Sequence, residues 1–154
     1  MKNIDKQILG LAGEYWTAAE LCRRGVYAQL TLGHHKQTDI LVETEYIMLR
    51  IQVKTKRGDE WPSVRGIYRE NDILVLVDTK NKDDTARPDF YILDIDDWKK
   101  LIQKEKERYP SVNIDKNKLQ IKYPDGWTGL NIKLSDVQRH KEKWEKITEK
   151  YKQK

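Results

Sequence analysis

The stretch from Thr38 to Thr55 constrains this chain more than any other. Ile47, Leu49, Ile51 and Val53 alternate with Met48, Arg50, Gln52 and Lys54, the period of two expected of a half-buried strand. The preceding run, Asp39-Ile40-Leu41-Val42, is separated from it only by Glu43-Thr44-Glu45, so the two most simply form a hairpin. Folding about Thr44 or Glu45 brings Asp39 opposite residues 49 to 51, within a residue or so of Gln52. A carboxylate, a carboxamide and an ammonium then converge at one end of a sheet.

Those three groups suit phosphodiester chemistry. Carboxylate and carbonyl oxygens are ligands for Mg²⁺, a metal that polarises phosphoryl oxygens and acidifies bound water. A neighbouring lysine orients the nucleophile or neutralises developing charge. The spacing alone equally allows a plainer reading, in which Gln52 and Lys54 end an exposed strand face and Asp39 is a turn residue.

The first helix adds an acid. Residues Ile4 to Arg24 lack proline and place Ile8, Leu11, Ala12, Tyr15, Ala18, Ala19 and Cys22 along one stripe, expected to pack inward. Glu20 has Arg24 one turn away and reads as an ordinary solvated ion pair. Glu14 is flanked by Gly10, Leu11, Ala18, Leu21 and Gly25, with no basic residue one turn away. Buried there, it needs a metal ion or Lys54 as partner; at the rim of the stripe it would reach water.

These parts together resemble the PD-(D/E)XK nuclease superfamily, over roughly Gly13 to Trp98: a helix bearing Gly13-Glu14, then Thr38-Asp39-Ile40-Leu41-Val42, then Ile51-Gln52-Val53-Lys54-Thr55, and two further strands at 72–78 and 90–95. The chain is most similar to the branch with glutamine at the second acidic position, that of group I intron-associated endonucleases. The resemblance implies that Glu14 is the helix-borne acid, Asp39 the principal metal ligand, Gln52 the substituted ligand and Lys54 the catalytic lysine. Two positions depart from the common motif. Thr38 stands where its name puts proline, and Gln52 removes one negative charge from the metal site.

With 154 residues the chain is expected to form one domain, 1–154. A charged fraction of 36% assures a solvated surface, and a net charge of +5 favours a polyanionic partner. Cys22 is the only cysteine, which excludes a disulfide framework or a cysteine-rich zinc site; on the apolar side of its helix it reads as a buried thiol. No apolar run approaches the roughly 20 residues of a membrane span, and no signal-peptide pattern opens the chain, so a cytoplasmic protein is the expectation.

Residues 56–69 mix basic and aromatic side chains with glycine and proline. Lys56, Arg57, Arg65 and Arg69 could neutralise phosphates while Trp61 and Tyr68 stack on bases, or the aromatics could simply anchor a connecting loop. Ile73 to Val77 reads as a strand covered on both faces. A helix capped by Asp96 is expected to run through Trp98, Leu101 and Ile102 and to stop before Pro110. Capping and helix-dipole pairing account for Asp94, Asp96 and Asp97. Segments 119–122 and 131–134 flank the turn Tyr123-Pro124-Asp125-Gly126 as a hairpin candidate. Ser135 and Gln138 have capping-box spacing, before a last helix packing Val137, His140, Trp144, Ile147 and Tyr151. His34-His35 lacks the further ligands zinc requires.

The expectation is thus an α/β fold, a restriction endonuclease-like mixed central sheet flanked by helices with an additional C-terminal hairpin and helix. Its expected activity is Mg²⁺-dependent, or Mn²⁺-dependent, endonucleolytic cleavage of DNA by a homodimer. A catalytically silent nucleic-acid-binding module and an RNA-processing nuclease are the alternatives.

Overall fold

The computed structural model describes residues 4–32 and 37–153. Helix α1 (Lys6–Cys22) leads into β1 (Gln29–Leu30), β2 (Ile40–Glu43), β3 (Met48–Lys56), β4 (Glu60–Val64), β5 (Asp72–Asp78) and β6 (Asp89–Leu93). Then come α2 (Ile95–Arg108), β7 (Asn113–Asp115), β8 (Gln120–Lys122), β9 (Leu130–Lys133), α3 (Leu134–Val137) and α4 (Glu145–Lys152). Five strands form a mixed sheet in the order β1-β2-β3-β5-β6. β3 and β5 are parallel and the other neighbours antiparallel. The fold is therefore the expected mixed α/β sheet flanked by helices. No helix among the described residues is long and apolar enough to cross a membrane.

Strand alternation divides the core in two. Leu49, Ile51, Val53, Ile73, Val75, Val77, Phe90 and Ile92 project to one face, where Leu21 of α1 and Ile147 of α4 cover them. Leu74, Leu76, Tyr91 and Leu93 project to the other, beneath Trp61, Trp98, Leu101 and Ile132 from β4, α2 and β9. The second layer rests on β5 and β6, leaving Met48, Arg50, Gln52 and Lys54 of β3 uncovered while Lys56 is buried. All seven residues of β5 are buried, as its uninterrupted apolar run requires.

Helix α1 is rotated relative to expectation. Ile8, Leu11 and Tyr15 are exposed by 63%, 45% and 58%, whereas Thr17 is fully buried and Glu14 and Glu20 are each only 7% exposed. Close approach decides this orientation: a Cβ on Gly13 would lie 1.8 Å from the Thr55 hydroxyl oxygen, so only glycine lets the helix sit this near β3. Burial of Glu20 is compensated by Arg24 at 2.5 Å and by Arg87 Nε at 2.8 Å, so its pairing with Arg24 is as expected but its solvation is not. Arg87 also donates to Glu142 Oε2 at 3.1 Å, joining α1 to the segment before α4. Cys22 lies on the exposed face, which corrects the buried thiol.

Four local expectations also change. Helix α2 is capped by Asp94, whose side chain accepts from the Asp97 N–H at 3.0 Å, so the cap is Asp94 and not Asp96. The turn at 123–127 forms, but β8 pairs with β7 and β9 pairs with β4; longer-range burial of Ile121 and Ile132 decides those partners. The last helix is interrupted after a 3₁₀ turn at Gln138–His140, with Glu142 at φ 56°. Asp136 accepts from the Lys133 N–H at 2.9 Å, in place of the Ser135 and Gln138 box.

Candidate metal centre and nucleic-acid cleft

The β2–β3 hairpin carries the site. Ile40 pairs with Ile51 and the Asp39 N–H donates to Ile51 O at 3.0 Å, which sets Asp39 level with Gln52, one step beyond the expected partner range. Asp39 Oδ2 accepts from the Val53 N–H at 2.8 Å. The carboxylate is therefore held against the backbone between Gln52 and Lys54. Gln52 Oε1 is buried without a hydrogen-bond partner, an arrangement that costs about 1–3 kcal/mol unless something engages that oxygen. Lys54 is exposed and forms no ion pair among the described residues.

Gln52 and Lys54 open into a cleft of about 350 Å³ lined also by Arg50, Arg65, Arg69, Lys118 and Gln120 among others. Its five cations face a single acid, Asp72, and Asp72 is already engaged by Arg69 Nε at 3.2 Å. Arg50, Lys54, Arg65 and Lys118 make no ion pair among the described residues, so the cleft presents uncompensated positive charge. Such a field attracts polyanions.

Three chain regions shape the cleft. Its floor is the even face of β3. One wall is the turn after β4, where the Asp72 carboxylate accepts from the N–H groups of Tyr68 at 3.3 Å and Arg69 at 3.0 Å. Gly66 presses on Trp98 there, at φ 85° and with room for no Cβ, since one would lie 2.0 Å from the ring. The other wall is the β7–β8 hairpin, anchored by Trp98 Nε1 donating to Leu119 O at 2.9 Å. Arg50 shares the alternation of Gln52 and Lys54 and was visible by that period; Lys118 and Gln120 carried no sequence signal.

The nucleic-acid residues expected between 56 and 69 separate into two groups. Lys56 is 4% exposed, bonded to Asp78 Oδ1 at 2.7 Å and to Gly58 O at 3.0 Å. Trp61 is 1% exposed and donates to Val77 O at 3.1 Å. Both belong to the interior, which corrects their assignment as contacts: β4 is a core strand and not a loop, because its pairing with β9 buries it. Arg65, Tyr68 and Arg69 do line the cleft, with the Arg69 guanidinium 4.7 Å from the Tyr68 ring centre. Arg57, next to Lys56 in sequence, is half-buried.

No protein-family model matches this sequence, and no curated protein does. A solved structure similar to it is that of a bacterial homing endonuclease, I-Ssp6803I. The likeness covers 60% of this chain and 71% of that one, at 19% identity and a TM-score of 0.45, and it is too slight to bear on function.

Glu14 is buried on α1, over the odd-numbered face of β3 and one residue from the contact of Gly13 with Thr55. Gln52 and Lys54 open on the other face. Among the described residues no three His, Cys, Asp or Glu side chains gather in a metal-holding group. Asp39 and the Gln52 carbonyl oxygen would offer donors of the kind that fit Mg²⁺, an ion commonly held by one or two carboxylates with water and substrate phosphate completing the shell. His34 and His35 lie outside the described residues.

Proposed function

We propose that this chain is a divalent-metal-dependent endonuclease acting on DNA, with its reactive centre at Asp39, Gln52 and Lys54. The observation that carries the proposal is the orphaned Gln52 Oε1, next to the pinned Asp39 carboxylate, in a cleft whose Arg50, Lys54, Arg65 and Lys118 make no ion pair among the described residues. Asp39 and Gln52 would hold Mg²⁺, or Mn²⁺ in its place. The bound ion supplies Lewis acidity toward a phosphate oxygen and a lowered pKa for an attacking water.

The protein's own residues do the rest. Lys54, exposed and without an ion pair among the described residues, places a positive charge where the pentacovalent phosphate gains negative charge, and such fixed charge stabilises a transition state more than a ground state. Arg50, Arg65 and Lys118 bind the flanking phosphates and hold the strand in register. Glu14, buried on α1, would help hold the ion directly or through water. Cutting both strands of a duplex calls for two copies, and a homodimer supplies them.

The test is a cleavage panel on duplex DNA, branched DNA, single strands and RNA, with Mg²⁺, Mn²⁺ or EDTA. Metal-dependent DNA cleavage lost in Lys54→Ala supports the proposal. Metal-independent binding without cleavage of any substrate would replace it with a silent binding module, and cleavage confined to RNA would change the substrate class.

A further inference from the structure

Helix α1 wears its apolar residues on the outside. Five of the twelve exposed large hydrophobic side chains among the described residues, Ile4, Ile8, Leu11, Tyr15 and Trp16, lie on this one helix or just ahead of its N-cap. Between Ile8 and Cys22 the only charged residues are Glu14 and Glu20, and both face inward. In a chain with a 36% charged fraction, an outer helix face without a charge over four turns is a surface shaped to leave water.

The pattern on that face identifies what covers it. Ile8, Leu11, Tyr15, Ala18 and Cys22 follow alternating steps of three and four, continued by Ile4 just ahead of the helix, the a/d spacing of a two-helix seam, with Ala18 half-buried at its edge against the core. The large residues stand at the N-terminal half and the small ones, Ala18 and Cys22, at the C-terminal half. Two parallel copies would set large against large and leave a gap between small ones. Two antiparallel copies related by a two-fold axis set Ile4 against Cys22, Ile8 against Ala18 and Leu11 against Tyr15, filling the seam throughout.

Charge agrees with this direction. Asp5 at the start of one helix and Arg23 at the end of the other fall at the same end of the pair, and the helix dipoles oppose. The five exposed side chains offer on the order of 500 Å² per copy, so pairing covers about 1,000 Å², the threshold of a specific interface.

We propose that α1 is a self-association surface on which a second copy of this chain docks antiparallel about a two-fold axis. The inference is independent of the nuclease reading, since its test measures mass and proximity and not cleavage. Sedimentation equilibrium of the wild-type chain is expected to show a dimer at micromolar concentration. Leu11→Lys and Ile8→Lys, both at exposed positions, are expected to weaken it by a factor on the order of a hundred with circular dichroism unchanged.

Direction is tested by linking thiols with a short bismaleimide. Ile4→Cys is expected to give covalent dimers through Cys22 of the other copy, because the two positions of one chain are roughly 25 Å apart and cannot be joined internally. Wild-type protein, with Cys22 alone, is expected to remain unlinked. A wild-type monomer at all concentrations, a dimer indifferent to both lysine variants, absence of linked Ile4→Cys dimer, or efficient Cys22–Cys22 linkage would each overturn the proposal.

Discussion

Asp39 Oδ2 takes the backbone N–H of Val53 at 2.8 Å, so one strand's carboxylate is tethered to the residue separating Gln52 from Lys54. The bond fixes position and the charge serves chemistry, and the two roles come apart on substitution. Asp39→Asn keeps an oxygen for Val53 and removes the charge. Expected are an unchanged melting temperature and a loss of metal-dependent cleavage by on the order of a hundredfold or more, measured by single-turnover kinetics. Retained cleavage would displace Asp39 from the reactive centre.

Gln52 offers the ion a dipole where a carboxylate would offer a charge. Gln52→Glu is therefore expected to lower the Mg²⁺ dissociation constant, read directly by calorimetry, and the Mg²⁺ concentration for half-maximal cleavage should fall with it. If affinity rises while cleavage disappears at saturating metal, the amide NH₂ has a donor role.

Phosphate contacts can be counted from salt dependence. Arg65→Ala and Lys118→Ala each remove one cation from the cleft wall, and each should reduce the slope of log K against log salt by about one. Arg23→Ala, on α1, is the control expected to leave the slope unchanged. Fluorescence anisotropy with labelled duplex over a salt series measures all three.

Lys56 reads as a phosphate ligand in sequence and behaves as a structural cation in the fold. Lys56→Ala strands Asp78 in the interior, an uncompensated charge that is expected to cost roughly 3–5 kcal/mol in urea unfolding. Adding Asp78→Asn should recover part of the loss. Nucleic-acid affinity per folded molecule is expected to stay within a factor of about two, since the lost charge does not face solvent.

Acid stability should depend on the α1 anchor. The Arg87 guanidinium, aided by Arg24 and opposed by burial, holds the Glu20 carboxyl down at about 2 from an ordinary 4.5. Between those values the unfolded chain binds the proton and the folded one does not, so this stabilisation is complete above pH 4.5 and is lost as pH falls toward 2. Glu20→Gln is expected to flatten the dependence of melting temperature on pH in that window while lowering stability at neutral pH. An unaltered acid profile would remove Glu20 from the account.

Local periodicity made the cleft floor legible. Arg50, Gln52 and Lys54 share a face because strands alternate, and three intervening residues left Asp39 little choice of partner. Burial was not legible where it depends on distant partners. Lys56 meets Asp78, Trp61 meets Val77 O, and Glu20 meets Arg87, none of them near in sequence. The apolar stripe of α1 was expected to pack inward, yet Ile8, Leu11 and Tyr15 are exposed, because Gly13 allowed the opposite face closer contact with Thr55.

The cleft floor and its β7–β8 wall meet only through folding, more than sixty residues apart in the chain. The hairpin is held by Ile121 in the core and by the Trp98 indole on the main-chain oxygen of residue 119, a bond that ignores which side chain that residue carries. Lys116, Lys118 and Gln120 can therefore diverge without disturbing β3. A lineage of such chains could exchange targets by rewriting one short ribbon while inheriting its chemistry intact.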